Sequence, residues 1–306
     1  MIVNIDHTYA CSVTEHIFSD QCAMIISNGH YISCTPETRD VITKAINTHG
    51  SASQKQLFRF YKGFDITEEL RKYLTTIDIN HYKTILIPLL ESPSELLIEN
   101  SIYEWEVYKY LPEVYKHDPQ FKNIYALVSK AIKDRRLTYM HGGGHTQYGP
   151  IIKQKDNELY KGIYKMKCCA IFDRDTDDET YYDANKNHHF NFFCQKDSQT
   201  ISDNEIYSLN QTDGWIWHMW YKRAIENYFP KERYEKLSVS VDEDEISDYE
   251  NVGQKYKSNG YKKEMVPKLA KDMSRTMYER GLKHFIVNGI EMSEMQLLLL
   301  KFAKIV

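Results

Sequence analysis

The chain has 306 residues, of which 42% are hydrophobic and 27% charged, and its net charge is −4. It exceeds one average domain and can bury a sizeable core, and without an overall basic field any nucleic-acid contact must rest on local patches. Its six cysteines show no CxxC or Cys/His zinc spacing, no apolar run nears the ~18 residues of a membrane span, and the N-terminus has no signal-peptide pattern, so a cytoplasmic protein in a reducing compartment is expected, with no membrane contact.

Residues 1–80 carry no chemical motif and are expected to form an N-terminal accessory region. Thr35-Pro36-Glu37 predicts a capped helix through Val41 to Ile46, ended by Gly50-Ser51-Ala52-Ser53, and Thr67 to Tyr73 predicts another short helix. From Tyr82 the texture changes. Ile85 to Leu90 is an apolar run interrupted by Ser92-Pro93-Ser94. Leu96-Leu97-Ile98 is a second, closing in Glu99-Asn100, after which Ile102, Trp105, Tyr108 and Leu111 recur at helical spacing until Pro112.

Tyr125 to Ile132 predicts a helix that runs into the basic cluster of Lys130, Lys133, Arg135 and Arg136. Leu137 to Met140 fits a short strand, followed by His141-Gly142-Gly143-Gly144-His145. Three successive glycines permit positive φ and close backbone approach, although no Gly-Lys-Ser/Thr follows to make a P-loop. Both histidines read as loop residues rather than ligands. Ile151 to Lys165 is mixed and expected to be helical.

Cys168 to Phe172 is apolar and stops abruptly at Asp173, with Asp175, Asp177 and Asp178 close behind. Such a run reads as a buried strand, and ligands gather at the carboxyl ends of strands in open α/β sheets. Aspartates one residue apart on a strand end suit a hard cation such as Mg²⁺. An acidic turn is the plain alternative. Downstream, His188-His189 reads as part of a strand, where only one of the two imidazoles can face a site. Trp217, Trp220, Tyr221 and Tyr228 lie near helical spacing and read as core packing. Residues 241–250 form an acidic linker, and the segment with Lys262, Lys263, Lys268, Lys271, Arg275, Arg280 and Lys283 predicts a basic helix. Glu294 to Ile305 predicts an apolar helix docked on a core.

The order strand–Glu99–helix, strand–triple glycine–helix, strand–Asp173-Arg174-Asp175 resembles the TOPRIM fold of topoisomerases, DnaG-type primases and OLD-family nucleases. The glycine loop and Lys222-Arg223-Ala224-Ile225-Glu226-Asn227-Tyr228 are similar to features of the OLD-type and PARIS-effector branch. The resemblance covers roughly residues 82 to 232 and departs from the family at Asn100, where a glycine is usual, and at Glu104, one place late. It implies an α/β, TOPRIM-like (Rossmann-like) mostly parallel sheet flanked by helices. The expected division is an N-terminal extension at 1–80, a catalytic domain at 81–235, and an acidic linker with a helical C-terminal region at 236–306.

The same resemblance implies a nuclease dependent on Mg²⁺ or Mn²⁺, with Glu99, Asp173 and Asp175 as the metal shell and Glu104 and Glu226 as further ligands. Lys133, Arg135 and Arg136 are expected to contact phosphates, with Gly143, Gly144 and Arg223 also touching the nucleic acid. No Walker A sequence is present, so a separate ATPase subunit is the implied regulator, with RNA such as tRNA, or DNA, as substrate and a homodimer as an expected state. Two rival readings stand beside this one. Asp173-Arg174-Asp175-Thr176 satisfies the DxDxT motif of haloacid-dehalogenase phosphatases, in which Asp173 would be the nucleophile and Asp175 the general acid. The other is a non-catalytic interaction module using the aromatic Trp215 to Tyr228 stretch.

Overall fold

Short, well-capped helices alternate with short parallel strands. In the computed structural model the described residues are 1–82, 85–143, 147–157, 162–175, 188–194, 203–209, 214–238, 252 and 265–306. In chain order the first part holds β1 (Ile2–Asn4), α1 (His7–Ser12), α2 (Glu15–Ser27), β2 (Tyr31–Ser33), α3 (Pro36–His49), α4 (Ala52–Arg59), α5 (Glu68–Tyr73) and β3 (Thr76–Asp78). The Thr35 and Thr67 side chains accept from the backbone N–H groups of Thr38 and Leu70, so both predicted caps form. The strands make a three-stranded parallel sheet in the order β2-β1-β3. Residues 1–80 are therefore themselves an α/β layer. Each strand is only three residues long, too short to leave a periodic pattern.

The second part runs α6 (Leu86–Glu91), β4 (Ser94–Ile98), α7 (Ser101–Tyr108), α8 (Leu111–Val114), α9 (Lys122–Lys133), β5 (Leu137–His141), α10 (Tyr148–Lys155), β6 (Cys168–Phe172), α11 (His188–Cys194), α12 (Asp203–Ile206), β7 (Ile216–Met219) and α13 (Lys231–Glu235). A final part holds α14 (Val266–Ala270), α15 (Arg275–Glu279), the antiparallel pair β8 (His284–Val287) and β9 (Ile290–Ser293), and α16 (Glu294–Ile305). Strands β4 to β7 form a four-stranded parallel sheet in the order β5-β4-β6-β7. Parallel sheets flanked by helices place the protein in the α/β class, consistent with a Rossmann-like arrangement.

All five residues of β6 are buried, as its unbroken apolar run requires of a strand covered on both faces. On one face Phe172 stacks on Phe193 of α11, with ring centroids 5.8 Å apart. On the other lies α16, whose buried Lys301 donates to the Trp217 carbonyl at 2.6 Å. Burial pushes the Lys301 ammonium down to about 7. Helix α16 also joins the two sheets. The Thr75 hydroxyl donates to the Lys304 carbonyl at 2.7 Å, Ser94 Oγ donates to the Ile305 carbonyl, and one continuous apolar core runs through both layers.

Three expectations are corrected here. The aromatic stretch from Trp215 contains a strand, β7, rather than a helix. Its residues are buried on both faces, and spacing among large rings mimicked a helical period. The His188-His189 pair opens a helix, α11, rather than lying in a strand. The basic C-terminal segment is two short helices, α14 and α15, rather than one. The acidic stretch 241–250, with Lys262 and Lys263, lies outside the described residues. Among the described residues no helix is long and apolar enough to cross a membrane, and all six cysteines are free.

Candidate functional site

The chain leaves β4 for β5 on one side, then crosses back over β4 to place β6 and β7 on the other. The reversal makes the carboxyl ends of β4 and β6 a topological switch point, where open α/β sheets hold their ligands. Ile98 pairs with Ile171, so Glu99 and Asp173 leave the sheet within one residue of the same level. The Gly142 N–H donates to the Ile98 carbonyl at 2.8 Å, which sets the glycine loop after β5 beside Glu99.

Two further segments bring carboxylates to this end. Helix α7 follows Glu99 after the N-cap Asn100, and its buried Glu104 turns back to accept from the Asn100 N–H at 3.0 Å and the Tyr108 hydroxyl at 3.1 Å. The 3₁₀ turn Ile225–Tyr228 carries the buried Glu226. Its approach is anchored by the Arg223 carbonyl, which accepts from the N–H groups of Arg174 at 2.8 Å and Asp175 at 3.3 Å. Asp175 adopts φ +57, a left-handed conformation that Asp tolerates better than most residues, and it bends the chain directly after the strand.

Asp173 records the electrostatic result. Burial raises its carboxyl well above the usual range, and Glu99, Asp175, Glu226 and Glu104 raise it further, in that order. The five acidic residues expected from the sequence thus share one electrostatic neighbourhood. Burial also raises the Tyr148 hydroxyl, again with contributions from Glu99, Glu104 and Asp173, and that hydroxyl donates to the Ile171 carbonyl at 2.7 Å. The Tyr148 ring lies against the His189 imidazole at 3.9 Å between centroids, and His189 Nε2 sits 3.4 Å from Glu99 Oε1.

In kind, the donor set fits a hard divalent cation: it consists of carboxylate oxygens whose mutual repulsion a double positive charge relieves. Among the described residues, no three His, Cys, Asp or Glu side chains stand close enough together to form a finished metal cage. The arrangement is a shared acidic field without a complete coordination shell.

The basic cluster lies elsewhere. Lys133, Arg135 and Arg136 precede β5 at its amino end, so the strand's five residues, about 16 Å at ~3.3 Å each, separate them from the carboxylates. Lys133 pairs with Glu113 at 2.6 Å, and Arg136 donates to the Asn28 carbonyl at 3.0 Å, bracing the two sheets together. Gly143 has the positive φ expected of the loop, at +70°, and a Cβ on Gly142 would stand 2.0 Å from the Tyr148 ring. Gly144, His145, Thr176, Asp177 and Asp178 lie outside the described residues.

Sequence reasoning missed Arg174 and Glu294, and it left open which of His188 and His189 could face a site. The buried Arg174 donates through Nη1 to the Tyr221 carbonyl and lies over the Tyr221 ring at 5.2 Å. Glu294 accepts from the Tyr221 N–H at 2.7 Å and the Tyr228 hydroxyl at 2.5 Å, fixing both ends of the segment that carries Arg223 and Glu226. Only one signal in the sequence pointed to it, a lone carboxylate opening an otherwise apolar helix. Comparison of the chain with models of known protein families, with curated proteins and with solved structures finds no match.

Proposed function

We propose that this protein is a nuclease that depends on Mg²⁺ or Mn²⁺ and hydrolyses phosphodiester bonds at the carboxyl ends of β4 and β6. Glu99, Asp173 and Asp175 would hold the cation, with Glu104 and Glu226 behind them. The observation that carries this reading is the field on Asp173: four other carboxylates raise it at a switch point between parallel strands. A purely structural acidic turn has no reason to gather carboxylates from two strand ends, a helix and a 3₁₀ turn.

A divalent cation bound there supplies charge to activate water and to offset charge developing on the phosphodiester. The chain's own residues prepare the place for it. His189 lies 3.4 Å from Glu99, the Arg223 carbonyl holds the Arg174-Asp175 backbone, and Glu294 fixes the segment bearing Glu226. The TOPRIM resemblance supports the same chemistry through the order of its motifs. The effector role in anti-phage defence, restrained by a separate ATPase and acting on RNA or DNA, belongs to the proposal through that resemblance.

The test is a cleavage assay on total tRNA, single-stranded DNA and duplex DNA, with and without Mg²⁺, beside Asp175→Ala and a phosphomonoester control. Cation-dependent cleavage of at least one polymer, lost in the variant, is expected. Turnover of the phosphomonoester alone would favour the phosphatase chemistry instead.

A further inference from the structure

Helix α4 and the turn after it run along the outer edge of the first sheet, yet α4 buries none of its own residues. A capping box starts the helix, with Ser51 Oγ accepting from the Gln54 N–H at 3.2 Å. The turn is tied to β2. The Tyr61 hydroxyl donates to the His30 carbonyl at 2.7 Å, and the Ile32 N–H donates to the Gly63 carbonyl at 3.0 Å. The rings of Phe58 and Tyr61 meet Phe64 edge-on at 6.1 and 5.1 Å, and the Arg39 guanidinium covers Phe64 at 4.4 Å. This surface is therefore held firmly from behind.

Outward it presents an open ring and unpaired charge. The C-cap residue Phe60 is 72% exposed and Leu57 is 49% exposed, although such side chains are ordinarily inside. Lys55 and Arg59 lie one turn apart on the same side of α4, and Lys62 follows in the turn. Among the described residues none of these three cations forms an ion pair, and no ring or cation lies against Phe60. Of the carboxylates on neighbouring segments, Asp20 accepts from the Gln54 side-chain amide at 3.5 Å, and Asp65 follows Lys62 in the turn without pairing with it. In a chain of net charge −4, this is a local positive surface that the fold leaves uncompensated.

We infer that this surface binds single-stranded nucleic acid, with Lys55, Arg59 and Lys62 on the phosphates and a base stacked on Phe60. Single strands are held by cations that track the backbone and by open rings that take unstacked bases, and both are present side by side here. A duplex keeps its bases stacked and can use the cations alone. A bilayer asks for a broad apolar face, whereas the exposed Ser53 and Gln56 interrupt this one. As a grip on the substrate, away from the carboxylates, the surface rests on the nuclease reading. As a binding surface it stands alone, because it uses neither the cation nor the carboxylates.

The test is fluorescence anisotropy in a chelating buffer, with labelled oligouridylate and oligothymidylate of about 15 nucleotides. Wild type, Lys55→Ala/Arg59→Ala/Lys62→Ala, Phe60→Ala and Asp173→Asn are compared, with circular dichroism to confirm folding; the altered α4 positions lie at or near the surface. Wild type and Asp173→Asn should bind alike. The triple variant should bind at least about tenfold more weakly, and its plot of log affinity against log salt should be shallower by about 2, near 0.7 for each lost phosphate contact. Phe60→Ala should bind at least roughly fivefold more weakly with the salt slope unchanged, as loss of a stacked base requires. No binding by wild type, unchanged binding in the triple variant or in Phe60→Ala, or attachment to phosphatidylglycerol vesicles in place of either strand would overturn the inference. Such a failure leaves the carboxylate centre untouched, and a protein that binds these strands without cleaving them overturns the nuclease reading alone.

Discussion

Glu294 and His218 meet at 3.0 Å, with neither side chain exposed. Burial lowers the affinity of the His218 imidazole for a proton, so the ring is neutral and donates through Nε2 to Glu294 Oε1. With the Tyr221 N–H and the Tyr228 hydroxyl on the same carboxylate, one residue of the C-terminal helix fixes the edge of the sheet and the segment that leads to Glu226. Glu294→Ala leaves two buried donors and one part-buried donor without their acceptor and is expected to cost ~3–5 kcal/mol in urea unfolding. Glu294→Gln, which keeps one acceptor oxygen, should cost less. A loss under ~1 kcal/mol in the alanine variant would contradict this role.

Asp173 makes stability depend on pH in the direction opposite to a salt-bridged carboxylate. Its folded value is raised, so above the unfolded value of 3.8 the native state holds a proton that the unfolded chain has released. Its contribution falls by up to ~1.4 kcal/mol for each pH unit from there to the folded value, and is constant above it. Asp173→Asn removes the ionisable group. In a chelating buffer at pH 8 the variant should melt above wild type, with the gap closing toward pH 4. Adding Mg²⁺ should raise the wild-type midpoint and leave the variant's unchanged. A variant that melts below wild type at pH 8 would remove the evidence for carboxylate repulsion.

The glycine loop is shaped by contact as well as by backbone freedom. A Cβ on Gly142 would meet the Tyr148 ring, whose other contacts include the Ile171 carbonyl, Phe172 and His189 beside Glu99. Gly142→Ala is expected to destabilise by ~1–3 kcal/mol and to lower cleavage by displacing that ring. Gly143→Ala, strained by its φ of +70°, should cost ~1–2 kcal/mol. Paired unfolding and cleavage measurements test both.

The basic cluster at the amino end of β5 should not hold the scissile strand. Lys133→Ala/Arg135→Ala is expected to leave cleavage within about twofold of wild type, since surface charges farther apart than a Debye length of roughly 8–10 Å are largely screened. Arg223→Ala, in the segment bonded to Asp175, should weaken it more. Equal losses in both variants would place the substrate across the whole sheet.

Much of the frame could be read in the sequence because its signals were local. Cys168 to Phe172 is a strand with the expected limits, Glu294 to Ile305 is the docked helix, and Thr35 and Thr67 cap the helices predicted after them. What escaped was set by tertiary contact. β7 lacks alternation because both of its faces are covered, and the three-residue strands of the first sheet are too short to show a period. The acidic residues could be named singly, but their gathering on Asp173 depends on the crossover that sets β4 beside β6. His189 on α11 meets Glu99 at the end of β4 across a wide separation in sequence, which no spacing encodes.

The most direct measurement is Mn²⁺ binding, followed by electron paramagnetic resonance or calorimetry, in wild type, Lys133→Ala/Arg135→Ala and Asp173→Ala, with circular dichroism to confirm folding and cation-dependent cleavage recorded in parallel. The account predicts saturable binding and cleavage in the first two and the loss of both in a folded Asp173→Ala. Binding and cleavage that survive in Asp173→Ala, or a wild-type protein that binds no cation, would contradict it.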